Sequence, residues 1–224
     1  MPLKFVYAFA CLILSLPWIF IYMKRKDLRT EMIWASLAGL PFGFVDYFLV
    51  PYYWNPESLF DLIKKYGIGI ESFVFFFFMA GIASVIYDFL FGKKTGKLKK
   101  GNFRMLPVLV ALSCFLILMI GHPDRAVYAL MAAVAFGAAL TIYLRRDLAV
   151  QAISSSFIFA LLYFFTFFIV IKLFPEMISN FYNLESTWGI FLAGVPLEEI
   201  GLAFMLGAFW SGSYETIKMR KERK

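Results

Sequence analysis

The chain has 224 residues, of which 62% are hydrophobic and 20% aromatic, including 28 phenylalanines. A soluble domain of this size cannot bury so many large apolar side chains, so the composition excludes a soluble fold and indicates an integral membrane protein. The net charge of +7 comes from basic residues that lie between the apolar stretches. This placement excludes a nucleic-acid partner and makes the basic residues topology signals instead.

Seven apolar stretches are long enough to cross a bilayer as helices, since about 20 residues span the hydrocarbon core. Lys and Arg are concentrated after the first, third, fifth and seventh stretches, so the positive-inside rule places the C-terminus in the cytoplasm and the N-terminus outside. We therefore predict an all-α transmembrane protein of seven helices in the plasma (cytoplasmic) membrane. The predicted spans are 5–23, 31–51, 66–90, 105–121, 126–144, 149–172 and 187–212.

The two halves of the chain carry the same pattern of short motifs. Equivalent positions are four spans apart, which predicts two parallel three-helix repeats joined by a linking fourth helix. We assign residues 1–91 to the first repeat, 92–124 to a basic loop and the linking helix, and 125–224 to the second repeat with its basic tail. The matched pairs are Arg25-Lys26-Asp27-Leu28 with Arg145-Arg146-Asp147-Leu148, Pro56-Glu57 with Pro175-Glu176, Gly67 to Glu71 with Gly194 to Glu198, and Tyr87-Asp88 with Tyr214-Glu215.

Two adjacent glutamates, Glu198 and Glu199, lie in the last apolar stretch. An ionised carboxylate in a bilayer costs about 2.5 kcal/mol or more, so such residues usually face a protein interior and mark function. We expect Glu198 about ten residues into the span, and at least one of the pair to hold a proton and act as a general acid. Pro196 is expected to kink this helix and aim the pair. The alternative is a glutamate that only fixes helix packing through hydrogen bonds.

The repeat places Glu71 opposite Glu198 across a central cavity. Asp46, near the end of the second span, either joins this site or reaches the membrane interface. Phe75 and Phe78 belong to a phenylalanine-rich run after Glu71, where inward-facing rings could stabilise a cation. The equivalent tyrosines are further candidate supporting residues, namely Tyr87 and Tyr214.

No cofactor and no metal are expected from the sequence. The seventh span has no lysine for retinal, and the chain has no Asp-rich motif for magnesium and a diphosphate. The single histidine, His122, cannot form a metal cluster, and no Gly-rich fingerprint for a flavin or nicotinamide is present. Cys11 and Cys114 lie in apolar stretches and are interpreted as packing residues.

The sequence Pro196-Leu197-Glu198-Glu199 resembles the PxE(E/D) signature of the flavin-independent integral membrane lycopene cyclases. The two three-span units with a linking helix also resemble that family. So does the segment Asp46-Tyr47-Phe48-Leu49-Val50 with Trp54-Asn55-Pro56-Glu57. Where the family commonly has a second PxEE in the first half, this chain has Gly69-Ile70-Glu71-Ser72.

The resemblance implies a redox-neutral isomerisation in which an acid protonates the end of a linear carotenoid, the cation closes a ring, and a base removes a proton. It implies Glu198 as proton donor, Glu199 as its modulator or the base, and Glu71 as the facing carboxylate. The expected partners are a carotenoid or related isoprenoid, membrane lipid and, in a homo-oligomer, further copies of the chain. Two alternatives stay open: a proton-coupled transporter, or a lipid- or isoprenoid-binding protein without catalysis. A glutamate-dependent intramembrane protease is disfavoured because its arginine and histidines are missing.

Overall fold

The computed structural model describes residues 3–92 and 105–217, and these form a bundle of α-helices. The predicted basic loop and basic tail lie outside the described residues. Short 3-10 turns connect several helices, at Leu3–Phe5, Leu40–Val45, Leu59–Asp61, Pro123–Arg125, Arg146–Leu148 and Leu184–Ser186. The helices are α1 (Val6–Lys24), α2 (Arg29–Gly39), α3 (Asp46–Leu49), α4 (Leu62–Tyr66), α5 (Ile70–Phe91), α6 (Leu106–Gly121), α7 (Ala126–Leu144), α8 (Ala149–Leu173), α9 (Met177–Phe181), α10 (Leu197–Ser211) and α11 (Ser213–Ile217).

Helices occupy all seven apolar stretches that the sequence predicts to span the membrane. In the described part of the chain, five helical segments are long and apolar enough to cross a membrane, and α6 is a shorter apolar helix. These findings support an all-α membrane protein. The seven-span arrangement and the orientation of the termini stay predictions. The five segments are Leu3–Lys24, Arg29–Leu49, Ile70–Phe91, Pro123–Leu144 and Arg146–Leu173.

The last predicted span is shorter than expected. Its first part is a two-stranded antiparallel hairpin, β1 (Phe191–Leu192) and β2 (Val195–Pro196), and α10 begins only after Pro196. Gly194 has a φ of 89° in the hairpin turn, a conformation that glycine adopts easily. The residue before a proline disfavours the helical conformation, so the chain stays extended up to Pro196. The expectation that Pro196 kinks a helix is therefore wrong, because Pro196 precedes the helix.

The shorter helix changes where the two glutamates lie. Glu198 and Glu199 are in the first turn of α10, not ten residues into a helix. Glu71 has the same place in α5, which begins at Ile70 after an extended Gly69. A carboxylate in the first turn of a helix is favoured by the helix dipole and by the free backbone N–H groups there.

The two helices that the predicted repeat pairs with each other, α5 and α10, meet at the centre of the bundle. In the first half, α5 packs against α1 and α2, and in the second half α10 packs against α7 and α8. The linking helix α6 packs mainly on α7, at the edge of the bundle. The centre of the molecule is thus the contact between two helices that both begin with a buried glutamate.

Glycines allow the closest helix contacts in each half. A Cβ on Gly39 of α2 would lie 2.7 Å from the backbone oxygen of Phe76 in α5. A Cβ on Gly207 of α10 would lie 2.8 Å from the backbone oxygen of Ser155 in α8. Small residues let helix backbones approach each other, which is a common way to stabilise helix pairs in membranes.

The RKDL and RRDL motifs make the same ion pair in both halves. Arg25 binds Asp27 through two hydrogen bonds, and Arg145 binds Asp147 in the same way, with Nη2 to Oδ2 distances of 2.8 and 2.7 Å. Nη1 of Arg25 also donates to the carbonyl oxygen of Asp88 at 2.9 Å, near the end of α5. The pairing with Asp27 raises the pKa of Arg25. The motif therefore ties the start of the second span to the end of the third.

Candidate active site

Glu199 accepts hydrogen bonds from three tyrosine hydroxyls. The hydroxyls of Tyr53 and Tyr182 each donate to its Oε1 at 3.0 Å, and the hydroxyl of Tyr163 donates to its Oε2 at 2.6 Å. All four side chains are buried. Three donors from three different segments hold this carboxylate in one orientation inside the protein.

The tyrosines reach Glu199 from both halves of the chain. Tyr53 lies in the loop after α3, Tyr163 lies within α8, and Tyr182 follows α9. The loops that carry Tyr53 and Tyr182 are joined by a backbone hydrogen bond of 2.9 Å from the N–H of Asn183 to the carbonyl oxygen of Tyr53. Burial first, and then the Glu199 carboxylate, raise the pKa of Tyr53 and of Tyr182 well above the usual value. Both hydroxyls therefore keep their protons and remain donors.

Asp46 is a second buried carboxylate with its own donors. The hydroxyl of Tyr7 donates to its Oδ2 at 3.2 Å, and the hydroxyl of Ser72 donates to the same oxygen. Asp46 is 2% exposed, so its side chain lies inside the protein, and its role in a site stays a prediction.

Asp46 and Glu199 line one cavity at the end of the bundle where α1, α5 and α10 begin. Its volume is about 70 Å³, and apart from these carboxylates and a few hydroxyls its wall is apolar and rich in aromatic rings. None of the residues that line it is basic. The lining consists of Val6, Tyr7, Asp46, Leu49, Tyr53, Trp54, Pro56, Phe75, Phe76, Met79, Val127, Leu130, Tyr163, Thr166, Phe167, Met177, Phe181, Tyr182, Glu199, Leu202, Ala203 and Leu206.

Glu71 and Glu198 are buried but do not line this cavity. Each holds the loop that precedes its own helix: Oε1 of Glu71 accepts the backbone N–H of Leu59 at 2.6 Å, and Oε1 of Glu198 accepts the backbone N–H of Trp188. The hydroxyl of Tyr128 is a further donor to Oε1 of Glu198, at 3.1 Å. The second oxygen of each glutamate has no hydrogen-bond partner among the described residues. The roles predicted for Glu198 as proton donor and for Glu71 as the facing carboxylate stay predictions.

The predicted repeat relates each carboxylate of the cavity to a hydroxyl residue in the other half of the chain. When the RKDL motifs are aligned, Asp46 corresponds to Thr166, and when the glutamates are aligned, Ser72 corresponds to Glu199. The first half thus has a carboxylate on its second span and a hydroxyl on its third. The second half has the reverse arrangement. The chemically different halves together supply two carboxylates to one cavity.

The other candidate residues lie in different places. Phe75 lines the cavity, whereas Phe78 packs against Trp18 outside it. Pro196 is buried next to the start of α10 and does not line the cavity. The two equivalent tyrosines lie at the opposite end of the bundle, where Tyr87 contacts Phe91 and Tyr214 contacts Trp34.

A group of carboxylates also lies at that opposite end. Oxygens of Glu31, Asp88 and Glu215 are within 4.8 Å of one another, and Glu31 and Asp88 are buried. The repeat motif Tyr-Asp or Tyr-Glu brings Asp88 and Glu215 to this end. The group is separate from the cavity that Asp46 and Glu199 share.

Sequence reasoning missed most of the tyrosines in the site. Tyr53 lies just after the second predicted span, and its side chain is 2% exposed and bound to Glu199. Tyr7 and Tyr163 lie within predicted spans, where a phenolic hydroxyl needs a partner. A tyrosine beside phenylalanines within a predicted span, such as Tyr163, therefore indicates a buried hydrogen-bond partner for its hydroxyl.

Comparison with known proteins gives the family. A family model described as Lycopene cyclase matches residues 4–90 and 125–217. This chain belongs to the lycopene cyclase family. The two matched ranges lie close to the bounds of the two predicted repeats and leave out residues 91–124. No curated protein and no solved structure matched the chain.

Proposed function

We propose that this member of the lycopene cyclase family is a membrane-embedded isomerase that cyclises the ends of a linear carotenoid or a related isoprenoid. The main evidence for this proposal is the cavity that Asp46 and Glu199 line together with apolar and aromatic side chains. Two carboxylates in such a setting can act as an acid and a base toward a substrate that has no polar group of its own.

The reaction needs a proton donor and a proton acceptor, and neither an oxidant nor a reductant. A proton adds to the terminal double bond and leaves a tertiary cation. The electron pair of a nearby double bond then forms the new carbon–carbon bond, which closes a six-membered ring and moves the positive charge to a ring carbon. Loss of a proton from the adjacent carbon gives the ring alkene. One proton enters and one leaves, so the product is an isomer of the substrate.

We assign the donor role to Asp46 and the acceptor role to Glu199. Glu199 has three hydroxyl donors and Asp46 has two, so Glu199 is better suited to carry negative charge beside the cation. Rings from the cavity wall, including Phe75, Phe76 and Phe167, are placed to stabilise the cation through their faces. The apolar wall also keeps water away from an intermediate that water would capture.

Glu198 and Glu71 act in this proposal as positioning residues. Glu198 holds the hairpin before α10 through Trp188, and Glu71 holds the loop before α5 through Leu59. These contacts fix the first turns of the two helices, and with them Glu199 and Ser72. The initial prediction of Glu198 as proton donor is the competing assignment, and the two are separated by comparing Glu198→Gln with Glu199→Gln.

The experiment incubates the purified protein, reconstituted in liposomes, with unlabelled lycopene in deuterated buffer. The proposal predicts a cyclised product that carries one solvent deuteron for each ring formed, as measured by chromatography and mass spectrometry. Unchanged lycopene in the presence of folded, membrane-inserted protein would overturn the proposal for this substrate. That result would favour the alternatives of binding or transport without catalysis.

A further inference from the structure

The cavity at Asp46 and Glu199 is smaller than the substrate that the proposed function requires. Its volume is about 70 Å³, whereas pockets for small ligands usually measure about 300–1,000 Å³. A long polyene therefore needs a second compartment that continues from the cavity. Because the substrate is dissolved in the membrane, that compartment has to open toward lipid.

A lateral groove between the second span, α6 and α7 has the required properties. Its volume is about 330 Å³. Its floor is buried, and its rim residues Phe44 and Leu112 are 57% and 54% exposed. No charged residue lines it. The groove consists of Ala38, Pro41, Phe42, Phe44, Val45, Phe48, Val108, Ala111, Leu112, Phe115, Leu116, Leu130, Ala133 and Val134.

The lateral groove is separated from the cavity by a thin wall. Leu130 of α7 lines both compartments. Val45, which lines the groove, directly precedes Asp46, which lines the cavity, and Phe48 of the groove follows two residues after Asp46. The wall is thus one side chain of α7 together with the chain segment that carries one of the two carboxylates.

This wall is built from an irregular part of the second span. Residues Leu40–Val45 form a 3-10 turn between α2 and α3, and the segment includes Pro41. A stretch of 3-10 helix inside a longer helix often marks a hinge, since its hydrogen bonds are weaker than those of an α-helix. Small movements of this segment would change the width of the opening beside Asp46.

We propose that the lateral groove binds the polyene chain of the substrate while its end group reaches Asp46 and Glu199 past Leu130. This inference rests on the proposed function and adds a binding compartment, an entry route from lipid and a residue that controls passage. Leu130 is a specificity-determining residue in this account, because its size sets which end group can enter the cavity.

A second apolar groove offers a matched control. It lies between α1, α5 and α8 on another face of the bundle and shares only Thr166 with the cavity. Its rim residue Leu161 is 57% exposed, close to the 54% of Leu112. The same substitution at these two leucines places a bulky ring in one groove or in the other.

The test compares Leu112→Trp with Leu161→Trp in purified protein that has been reconstituted with lycopene. We expect Leu112→Trp to lower both retained lycopene and the rate of cyclisation about tenfold, a usual effect of a misfit in an apolar pocket. Leu161→Trp should leave both values near those of the unchanged protein. Leu130→Phe should lower the rate while retained lycopene stays the same, because the polyene still binds in the groove. Gel filtration and thermal unfolding identify variants that fail to fold.

The outcomes separate the groove from the proposed function. If the unchanged protein converts lycopene and both tryptophan variants behave alike, the groove assignment is wrong and the function stands. A loss confined to Leu161→Trp moves the entry route to the other groove and overturns the inference. If the unchanged protein neither retains nor converts lycopene, the proposed function fails and the groove assignment fails with it. If membrane phospholipid displaces lycopene from the folded protein, the groove is a lipid site and the inference is wrong.

Discussion

Asp46 and Glu199 line the same buried cavity although they come from different halves of the chain. Asp46 lies on the second span of the first predicted repeat, and Glu199 lies on the third helix of the second predicted repeat. Their counterparts in the other halves are hydroxyl residues, Thr166 and Ser72, of which Thr166 lines the cavity and Ser72 donates a hydrogen bond to Asp46. The two halves of the chain thus provide two unlike carboxylate environments in one site.

The first prediction concerns the shortest of the three hydrogen bonds to Glu199 that the tyrosines donate. Tyr163→Phe removes the hydroxyl at 2.6 Å from Oε2 and keeps the ring in the cavity wall. A hydrogen bond to a charged group contributes about 1.5–3 kcal/mol, so we expect the cyclisation rate to fall about tenfold or more. The measurement is the rate of product formation in liposomes. Tyr143→Phe, at a position 70% exposed, is the control and should leave the rate unchanged.

The second prediction concerns the role of Glu198. Glu198→Gln keeps an oxygen that accepts the backbone N–H of Trp188 and removes the acidic group. If Glu198 only positions the hairpin, the rate should fall by less than about tenfold, whereas loss of a general acid costs about 100-fold or more. Glu198→Ala should lower both the rate and the melting temperature, since the loop contact is lost. If Glu198→Gln lowers the rate of cyclisation about 100-fold and leaves the melting temperature unchanged, Glu198 is the proton donor and the assignment to Asp46 is wrong.

The third prediction concerns the contact between α10 and α8. Gly207→Leu places a side chain where the backbone of Ser155 lies 2.8 Å from the glycine's Cβ position. The helices have to separate, so we expect the yield of folded protein to fall sharply and lycopene retention to be lost. Gly121→Ala is the control, because nothing lies within 4 Å of its Cβ position. Equal yields for the two variants, measured by gel filtration in detergent, would contradict the close approach.

Long apolar helices could be read from the sequence with good accuracy. The predicted span 126–144 coincides with α7 (Ala126–Leu144), and 149–172 falls one residue short of α8 (Ala149–Leu173). These helices end at charged motifs such as Arg145-Arg146-Asp147, where the change in hydropathy is abrupt. Hydropathy and structure then give the same boundaries.

The start of α10 could not be read in the same way. The residues between Trp188 and Pro196 are apolar, so hydropathy includes them in the span, yet they form a hairpin. The informative signals were Gly194 and Pro196, which favour a turn and an extended segment.

The sequence also could not predict which two carboxylates line the cavity. The repeat pairs Glu71 with Glu198, but successive residues of a helix point about 100° apart, since one turn takes 3.6 residues. The next position in each helix therefore faces inward, where Glu199 lines the cavity and Ser72 binds Asp46. Which of two adjacent residues faces the cavity depends on how α5 and α10 pack, and the sequence does not specify this.

In the proposed mechanism, Asp46 is the acid and Glu199 is the base of the cyclisation. The most direct test uses the Asp46→Asn and Glu199→Gln proteins. It measures both the binding and the conversion of lycopene by each variant. Each substitution keeps the shape of the side chain and removes its ability to exchange a proton. We expect each variant to fold and retain lycopene as the unchanged protein does. The rate of cyclisation should fall by about 100-fold or more, the usual contribution of general acid–base catalysis. A folded variant of either residue that cyclises lycopene at the rate of the unchanged protein would contradict the account.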